Sequence, residues 1–115
     1  MSIQIWHNPR CSKSRQTLQL LEEKGVEAEP RLYLKQPPAI QELRDVLAML
    51  GMSPRELMRK KQKEYKALGL DKADISDDEL IRVMVENPVL IERPIVVNNG
   101  KAAIGRPPEQ VLDIL

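Results

Sequence analysis

The residues around Cys11 are the ones whose types and spacing allow chemistry. Cys11 is the only cysteine in the chain of 115 residues. The apolar run Ile3–Trp6 followed by a turn at Pro9 predicts that Cys11 begins a helix directly after a strand. Unpaired N–H groups at a helix N-terminus carry a partial positive charge that favours a thiolate. The sequence therefore predicts a reactive, ionised thiol rather than a small buried hydrophobe.

The neighbours of Cys11 strengthen this prediction. No acidic residue occurs between positions 7 and 15, and four basic residues lie there: His7, Arg10, Lys13 and Arg15. Each positive charge favours the ionised sulfur. Ser14 lies three residues after Cys11 on the same helical face, where its hydroxyl can reach either the sulfur or His7. We expect His7, the only histidine, to act as a supporting electrostatic group.

Two arginines beside prolines predict an anion site. Arg93 precedes Pro94 and a strand, and Arg106 follows the strand that returns after the hairpin signal Asn99-Gly100. The two guanidinium groups then meet at the open end of one hairpin, where they need an anion between them. Guanidinium groups bind tetrahedral oxyanions through paired hydrogen bonds. The Arg93–Pro94 bond is a candidate cis peptide, although trans is the usual isomer, and the sequence leaves this choice open.

The composition of the chain predicts which partners, metals and locations the protein has. A single cysteine forms no internal disulfide, so a reacting Cys11 needs a resolving thiol from another molecule. One cysteine and one histidine without ligand spacing predict no metal site. The sequence lacks a membrane-length apolar run and a signal-peptide pattern, so we expect a cytosolic protein. The net charge of +1 gives no reason to expect a nucleic-acid or membrane partner.

The order of elements predicts an α/β fold of the thioredoxin-like type, with a mixed four-stranded sheet. A βαβ unit comes first, a ββα unit comes last, and a helical insertion over about residues 39–88 separates these halves of one domain, 1–115. The predicted strands are Ile3–Trp6, Glu29–Leu34, Ile95–Val97 and Lys101–Ile104. The predicted helices are Cys11–Lys24, Ile40–Leu50, Ser53–Arg59, Glu64–Gly69, Ser76–Asn87 and Glu109–Leu115.

Four short motifs, in order along nearly the whole chain, closely resemble the arsenate reductases that use glutathione and glutaredoxin. The motifs are His7-Asn8-Pro9-x-Cys11-x-x-Ser14-Arg15, Leu57-Met58-Arg59-Lys60, Arg93-Pro94-Ile95-Val96-Val97 and Gly105-Arg106-Pro107. The resemblance implies that Cys11 is the nucleophile and that His7 and Ser14 keep it ionised. Arg59, Arg93 and Arg106 would hold the oxyanion, and Pro94 would be the cis-proline of the fold.

The same resemblance implies the reaction and its partners. Arsenate would be reduced to arsenite, with glutathione as co-substrate, glutaredoxin as the protein that resolves the mixed disulfide, and no bound cofactor. Two other functions stay open. One is a glutathione-dependent thiol oxidoreductase that acts on disulfides. The other is a regulator that binds RNA polymerase, without a disulfide switch because Ser14 stands where related regulators have a second cysteine.

Overall fold

The computed structural model describes residues 3–115, which form two compact units. The first unit comprises the residues up to Gln36 together with Arg93–Leu115, and the second is Pro37–Glu92. Within the described part of the chain, no helix is long and apolar enough to cross a membrane. The organisation as a single domain with an insertion at about 39–88 stays a prediction.

The first unit contains a four-stranded mixed sheet, as predicted. Its strands are β1 (Ile3–Trp6), β2 (Ala28–Arg31), β3 (Ile95–Asn98) and β4 (Lys101–Ile104). Their order is β2-β1-β3-β4, with β1 parallel to β2 and antiparallel to β3, and with β3 antiparallel to β4. The predicted hairpin turn lies at Asn99 and Gly100, which have φ of 52° and 79°. Positive φ at both central residues is the geometry that joins tightly paired antiparallel strands.

Helix α1 (Ser12–Glu23) and a C-terminal 3₁₀-helix (Pro108–Ile114) complete this unit. Its core joins both helices to β1 and β3 through four side chains that are fully buried: Ile5, Leu21, Val96 and Val111. The C-terminal segment was predicted as an α-helix. It instead makes bonds between residues three apart, such as the Gln110 N–H to the Pro107 carbonyl at 3.1 Å. Most 3₁₀ runs are no longer than three or four residues, and this one spans seven.

Strand β2 is shorter than the predicted strand Glu29–Leu34. The N–H groups of Lys35 and Gln36 both donate to the Leu32 carbonyl, each at 2.9 Å, and so close a turn. The side chain of Arg31 stabilises this turn by donating from Nε to the Gln36 carbonyl at 3.1 Å. The turn takes the place of the last predicted strand residues.

The second unit is helical, and its two longer helices, α2 and α5, contact each other. Its helices are α2 (Ile40–Leu50), α3 (Pro54–Leu57), α4 (Lys63–Ala67), α5 (Asp77–Glu86) and a 3₁₀ turn at Pro88–Leu90. The predicted N-caps are present, because the Ser53 and Ser76 side chains accept from N–H groups three residues later at 3.3 and 3.2 Å.

Helix α3 ends two residues before the predicted end at Arg59. Met58 forms an antiparallel bridge with Ile91. The Arg59 N–H donates to the Leu90 carbonyl at 2.8 Å, and the Glu92 N–H donates to the Leu57 carbonyl at 3.0 Å. Pairing with a segment about thirty residues away therefore outweighs local helix propensity, as tertiary context often does.

The core of the first unit makes a direct prediction about stability. Leu21→Ala removes a fully buried side chain that joins α1 to the sheet, and should lower the free energy of unfolding by about 2–5 kcal/mol. Urea denaturation followed by far-UV circular dichroism measures this change. Gln16→Ala, at an exposed position on the same helix, is the matched control and should change it by less than about 0.5 kcal/mol. Equal effects of the two substitutions would contradict the assigned core.

Candidate active site

Cys11 is the N-cap residue of α1, with extended φ and ψ of −92° and 122°. Its N–H donates to the Asn8 carbonyl at 3.0 Å, and its own carbonyl accepts from the Arg15 N–H at 3.0 Å. These two bonds fix Cys11 between the preceding loop and the first turn of the helix. The residue is 9% exposed, so its thiol is largely shielded from water.

Opposing effects act on the sulfur of Cys11. Burial raises the pKa of the thiol. The Ser14 N–H, the positive charge of Arg93, the Lys13 N–H and a hydrogen bond from the Arg93 side chain lower it, and together they outweigh the burial. The net result is a pKa below the ordinary value of the thiol. Cys11 is therefore a buried sulfur whose surroundings favour the thiolate, as catalytic cysteines require.

The two arginines predicted to meet do lie together. Arg106 donates from Nε to the Arg93 carbonyl at 2.8 Å, and its Nη2 lies 3.8 Å from Cys11 Sγ. Both arginines are half-buried, and each precedes a proline across a cis peptide bond, Arg93–Pro94 and Arg106–Pro107. The open end of the β3–β4 hairpin thus presents guanidinium groups to the sulfur. Such groups also suit a tetrahedral oxyanion bound beside it.

Ser14 bonds to His7 through its hydroxyl, which settles the choice that the sequence left open. His7 Nδ1 and Ser14 Oγ are 2.6 Å apart, and the Asn8 N–H donates to the same oxygen at 3.0 Å. Ser14 is fully buried and His7 is 7% exposed. The hydroxyl therefore ties the loop before Cys11 to the helix after it, while the Ser14 backbone N–H acts on the sulfur.

The positive charge predicted for His7 does not fit its surroundings. Burial lowers the pKa of His7, and the nearby charge of Arg15 lowers it further. Neutral imidazole is thus favoured near pH 7, and it satisfies the observed contact when Nδ1 accepts from the Ser14 hydroxyl. The positive charge that lowers the pKa of Cys11 comes from Arg93, and His7 contacts Ser14 of α1 from the preceding loop.

Arg59 belongs to the second unit. Its N–H donates to the Leu90 carbonyl at 2.8 Å, and its Nη1 donates to the Val89 carbonyl at 3.3 Å. These bonds fix the start of its side chain within that unit. Participation of Arg59 in an oxyanion site with Cys11 stays a prediction.

Two further residues, Asn8 and Arg15, shape the loop before Cys11. Arg15 donates from Nη1 to the Pro9 carbonyl at 2.8 Å. The Asn8 side chain accepts from the Arg10 N–H at 3.0 Å and forms a side-chain turn. The Asn-Pro dipeptide signals such a turn in sequence, whereas no sequence signal predicts the contact of Arg15 with Pro9.

Comparison with known proteins gives consistent matches over nearly the full length. Residues 6–114 match the model of the ArsC family. The chain is 60% identical over 114 residues to the uncharacterized protein YfgD of Escherichia coli (strain K12), covering 98% of this chain and 96% of YfgD. It is 52% identical over 114 residues to the arsenate reductase of Neisseria meningitidis, covering 98% of this chain and 97% of that protein.

The solved structure of an arsenate reductase from Vibrio cholerae has the same architecture. Its TM-score is 0.97 and its sequence identity is 52%, with 100% of this chain and 98% of that chain covered. This likeness, together with the mixed sheet, confirms the predicted thioredoxin-like fold.

The charges around Cys11 predict how its pKa changes when one of them is removed. Arg93→Ala removes a positive charge and a hydrogen bond that both lower the pKa of Cys11, so the pKa should rise. A smaller share of the thiol is then ionised at pH 7. Thiolate absorbance and the alkylation rate, each measured against pH, report this change. Lys24→Ala, which removes an exposed charge at the far end of α1, is the control and should leave both curves in place. A shift of equal size in both variants would contradict the assignment of Arg93.

Proposed function

Because the chain belongs to the ArsC family, we propose that it is an arsenate reductase whose nucleophile is Cys11. One observation carries this proposal: Arg106 Nη2 lies 3.8 Å from Cys11 Sγ, and the same guanidinium donates to the carbonyl of Arg93. A cysteine whose pKa is lowered therefore lies beside the guanidinium groups of Arg93 and Arg106, which supports their proposed role in holding an oxyanion. The relatives named arsenate reductase support arsenate as the oxyanion.

In the first proposed step, the Cys11 thiolate attacks the arsenic of arsenate. An S–As bond forms and one oxygen leaves as water after it gains protons, so arsenic stays in the +5 state. Arg93 and Arg106 donate hydrogen bonds to the remaining oxygens and stabilise their charge. Arg59 is proposed as a third oxyanion ligand, on the basis of its match to the family motif.

In the second proposed step, the thiolate of glutathione attacks the sulfur of Cys11. The S–As bond breaks, its electron pair stays on arsenic, and arsenite in the +3 state is released. Cys11 is left in a mixed disulfide with glutathione, and the two electrons come from the two thiols. The presence of only one cysteine supports an external thiol for this step.

Glutaredoxin is proposed to complete the cycle. Its thiolate attacks the glutathione sulfur of the mixed disulfide and returns Cys11 as a thiolate. The proposal requires a compartment that keeps glutathione reduced, which supports a cytosolic location.

The remaining site residues are proposed to hold the geometry of the nucleophile. The His7–Ser14 bond, 2.6 Å long, fixes the loop before Cys11 so that the sulfur stays beside the amides of α1. Pro94 is proposed as a structural residue at the start of the hairpin, because its carbonyl accepts from the Gly105 N–H at 2.9 Å.

Turnover with purified components tests the proposed reaction. The protein should form arsenite from arsenate when glutathione and glutaredoxin are both present. Cys11→Ser should abolish this activity, because serine provides no thiolate to attack arsenic. Arsenite is measured by liquid chromatography with arsenic-specific detection.

Two outcomes would contradict the proposal in different ways. Turnover that persists in Cys11→Ser would exclude Cys11 as the nucleophile. If arsenite did not form, but a small glutathione mixed disulfide were reduced at the same rate by the wild type and by Arg93→Ala, a general thiol oxidoreductase would replace the reductase.

Binding of the oxyanion tests the arginines separately from turnover. Arg93→Ala and Arg106→Ala should each weaken arsenate binding by about 1.5–3 kcal/mol, the range for hydrogen bonds to charged groups. We expect Arg59→Ala to weaken binding as well. Isothermal titration calorimetry without glutathione measures these affinities. Lys24→Ala, an exposed charge removed at the end of α1, is the control.

A different result would contradict the proposed role of the hairpin arginines and that of Arg59. Unchanged affinity in both hairpin variants would remove the proposed oxyanion site. Unchanged affinity in Arg59→Ala alone would remove Arg59 from the site and leave the hairpin pair in place.

A further inference from the structure

A close contact between α1 and the hairpin lies behind the Cys11 site. Gly105 follows β4 and directly precedes Arg106. It is buried, and its N–H donates to the Pro94 carbonyl at 2.9 Å. On the other side of the contact stands Thr17, a fully buried residue of α1. Both elements that form the site therefore meet at Gly105.

The contact leaves no room for a side chain at position 105. A methyl group there would overlap Thr17 Oγ1, and would lie 3.0 Å from Thr17 Cγ2 and 2.9 Å from Pro94 Cγ. Distances of 3.0 Å or less between such carbon atoms are strongly repulsive, so one of the two elements would have to move. Glycine is required here by lack of space.

Thr17 is held in place and does not yield easily. Its hydroxyl donates to the Lys13 carbonyl at 2.8 Å. Its branched Cβ restricts it to few rotamers in a helix. A methyl group at Gly105 would thus press on the backbone of α1 through Thr17 and on the start of β3 through Pro94.

We propose that Gly105 is a positioning residue: because it has no side chain, the hairpin can approach α1 at Thr17, and this approach sets the distance between the Cys11 sulfur and the guanidinium groups of Arg93 and Arg106. The role in catalysis rests on the proposed function, whereas the effect on the thiol does not. The amides of Lys13 and Ser14 belong to α1 and move together with the sulfur. The guanidinium groups belong to the hairpin and do not move with the sulfur. Separation of the two elements therefore removes the effect of the arginines on Cys11 and retains the effect of the helix.

The test uses four full-length variants: Gly105→Ala, Thr17→Ala, the double variant Gly105→Ala/Thr17→Ala, and Gly25→Ala. The readout is the pH dependence of Cys11 alkylation and thiolate absorbance without any substrate. Gly25 is the matched control, since it lies at the other end of α1 with φ of 73° and no atom within 4 Å of an added methyl. Its substitution strains the backbone without touching the contact.

Gly105→Ala should move the thiol titration to higher pH and slow alkylation near neutral pH by about 3- to 10-fold, because less thiolate is present. The double variant should recover most of this loss, since Thr17→Ala removes the overlapping hydroxyl and the methyl group at 3.0 Å. Thr17→Ala and Gly25→Ala alone should titrate like the wild type. With arsenate, kcat/KM of Gly105→Ala should fall about 10- to 100-fold, as expected for displaced reacting groups.

Two results would overturn the proposal. One is a titration curve of Gly105→Ala that coincides with that of the wild type while thermal stability falls, because Gly105 would then serve packing alone. The other is a double variant that titrates like Gly105→Ala, which would exclude Thr17 as the partner.

The remaining outcomes separate this proposal from the proposed function. If the wild type makes no arsenite but Gly105→Ala still shifts the titration, the reductase assignment fails and the positioning role stands. If Gly105→Ala does not fold, Thr17→Ile presses on the same contact from α1 and should shift the titration in the same direction. An unshifted titration in folded Thr17→Ile would then overturn the proposal.

Discussion

The attraction between the Cys11 sulfur and nearby positive groups is the interaction on which the site depends. Burial alone raises the pKa of the thiol, and the amides of α1 together with Arg93 reverse this effect. The two contributions differ in origin. Backbone amides act on any cysteine that caps a helix of this kind, so their effect on the pKa is present as soon as the helix forms. The guanidinium groups reach the sulfur only when the β3–β4 hairpin is in place beside α1.

The loop before Cys11 is organised by hydrogen bonds from Ser14, Asn8 and Arg15. Ser14 accepts from the Asn8 N–H and contacts His7 Nδ1, while Arg15 holds the Pro9 carbonyl. The pKa of His7 is lowered because the ring is buried and because the nearby charge of Arg15 opposes a second positive charge. The single histidine thus joins the loop before Cys11 to Ser14 of α1.

Much of the fold and part of the site could be predicted from the sequence, and the limits have physical causes. The strand–turn–helix around Cys11 and the Asn99-Gly100 hairpin are encoded by local signals, so their prediction was accurate. The early end of α3 was missed because it depends on a bridge to Ile91, a distant residue. The lowered pKa of His7 was missed because burial is a property of the folded chain. The lack of room for a side chain at position 105 has no sequence signal beyond the glycine itself.

The contact between Cys11 and Arg106 joins residues 95 positions apart, and this separation has a consequence for biosynthesis. A ribosome makes the chain from its N-terminus, so the sulfur emerges long before its guanidinium partner. Until β4 has paired with β3, Cys11 of the nascent chain lacks the part of the pKa lowering that comes from the arginines. Because susceptibility to oxidants follows both thiolate character and exposure, the newborn chain offers a more accessible but less ionised thiol than the folded protein. The arginine contribution to the lowered pKa of Cys11 is gained only once the sheet is complete.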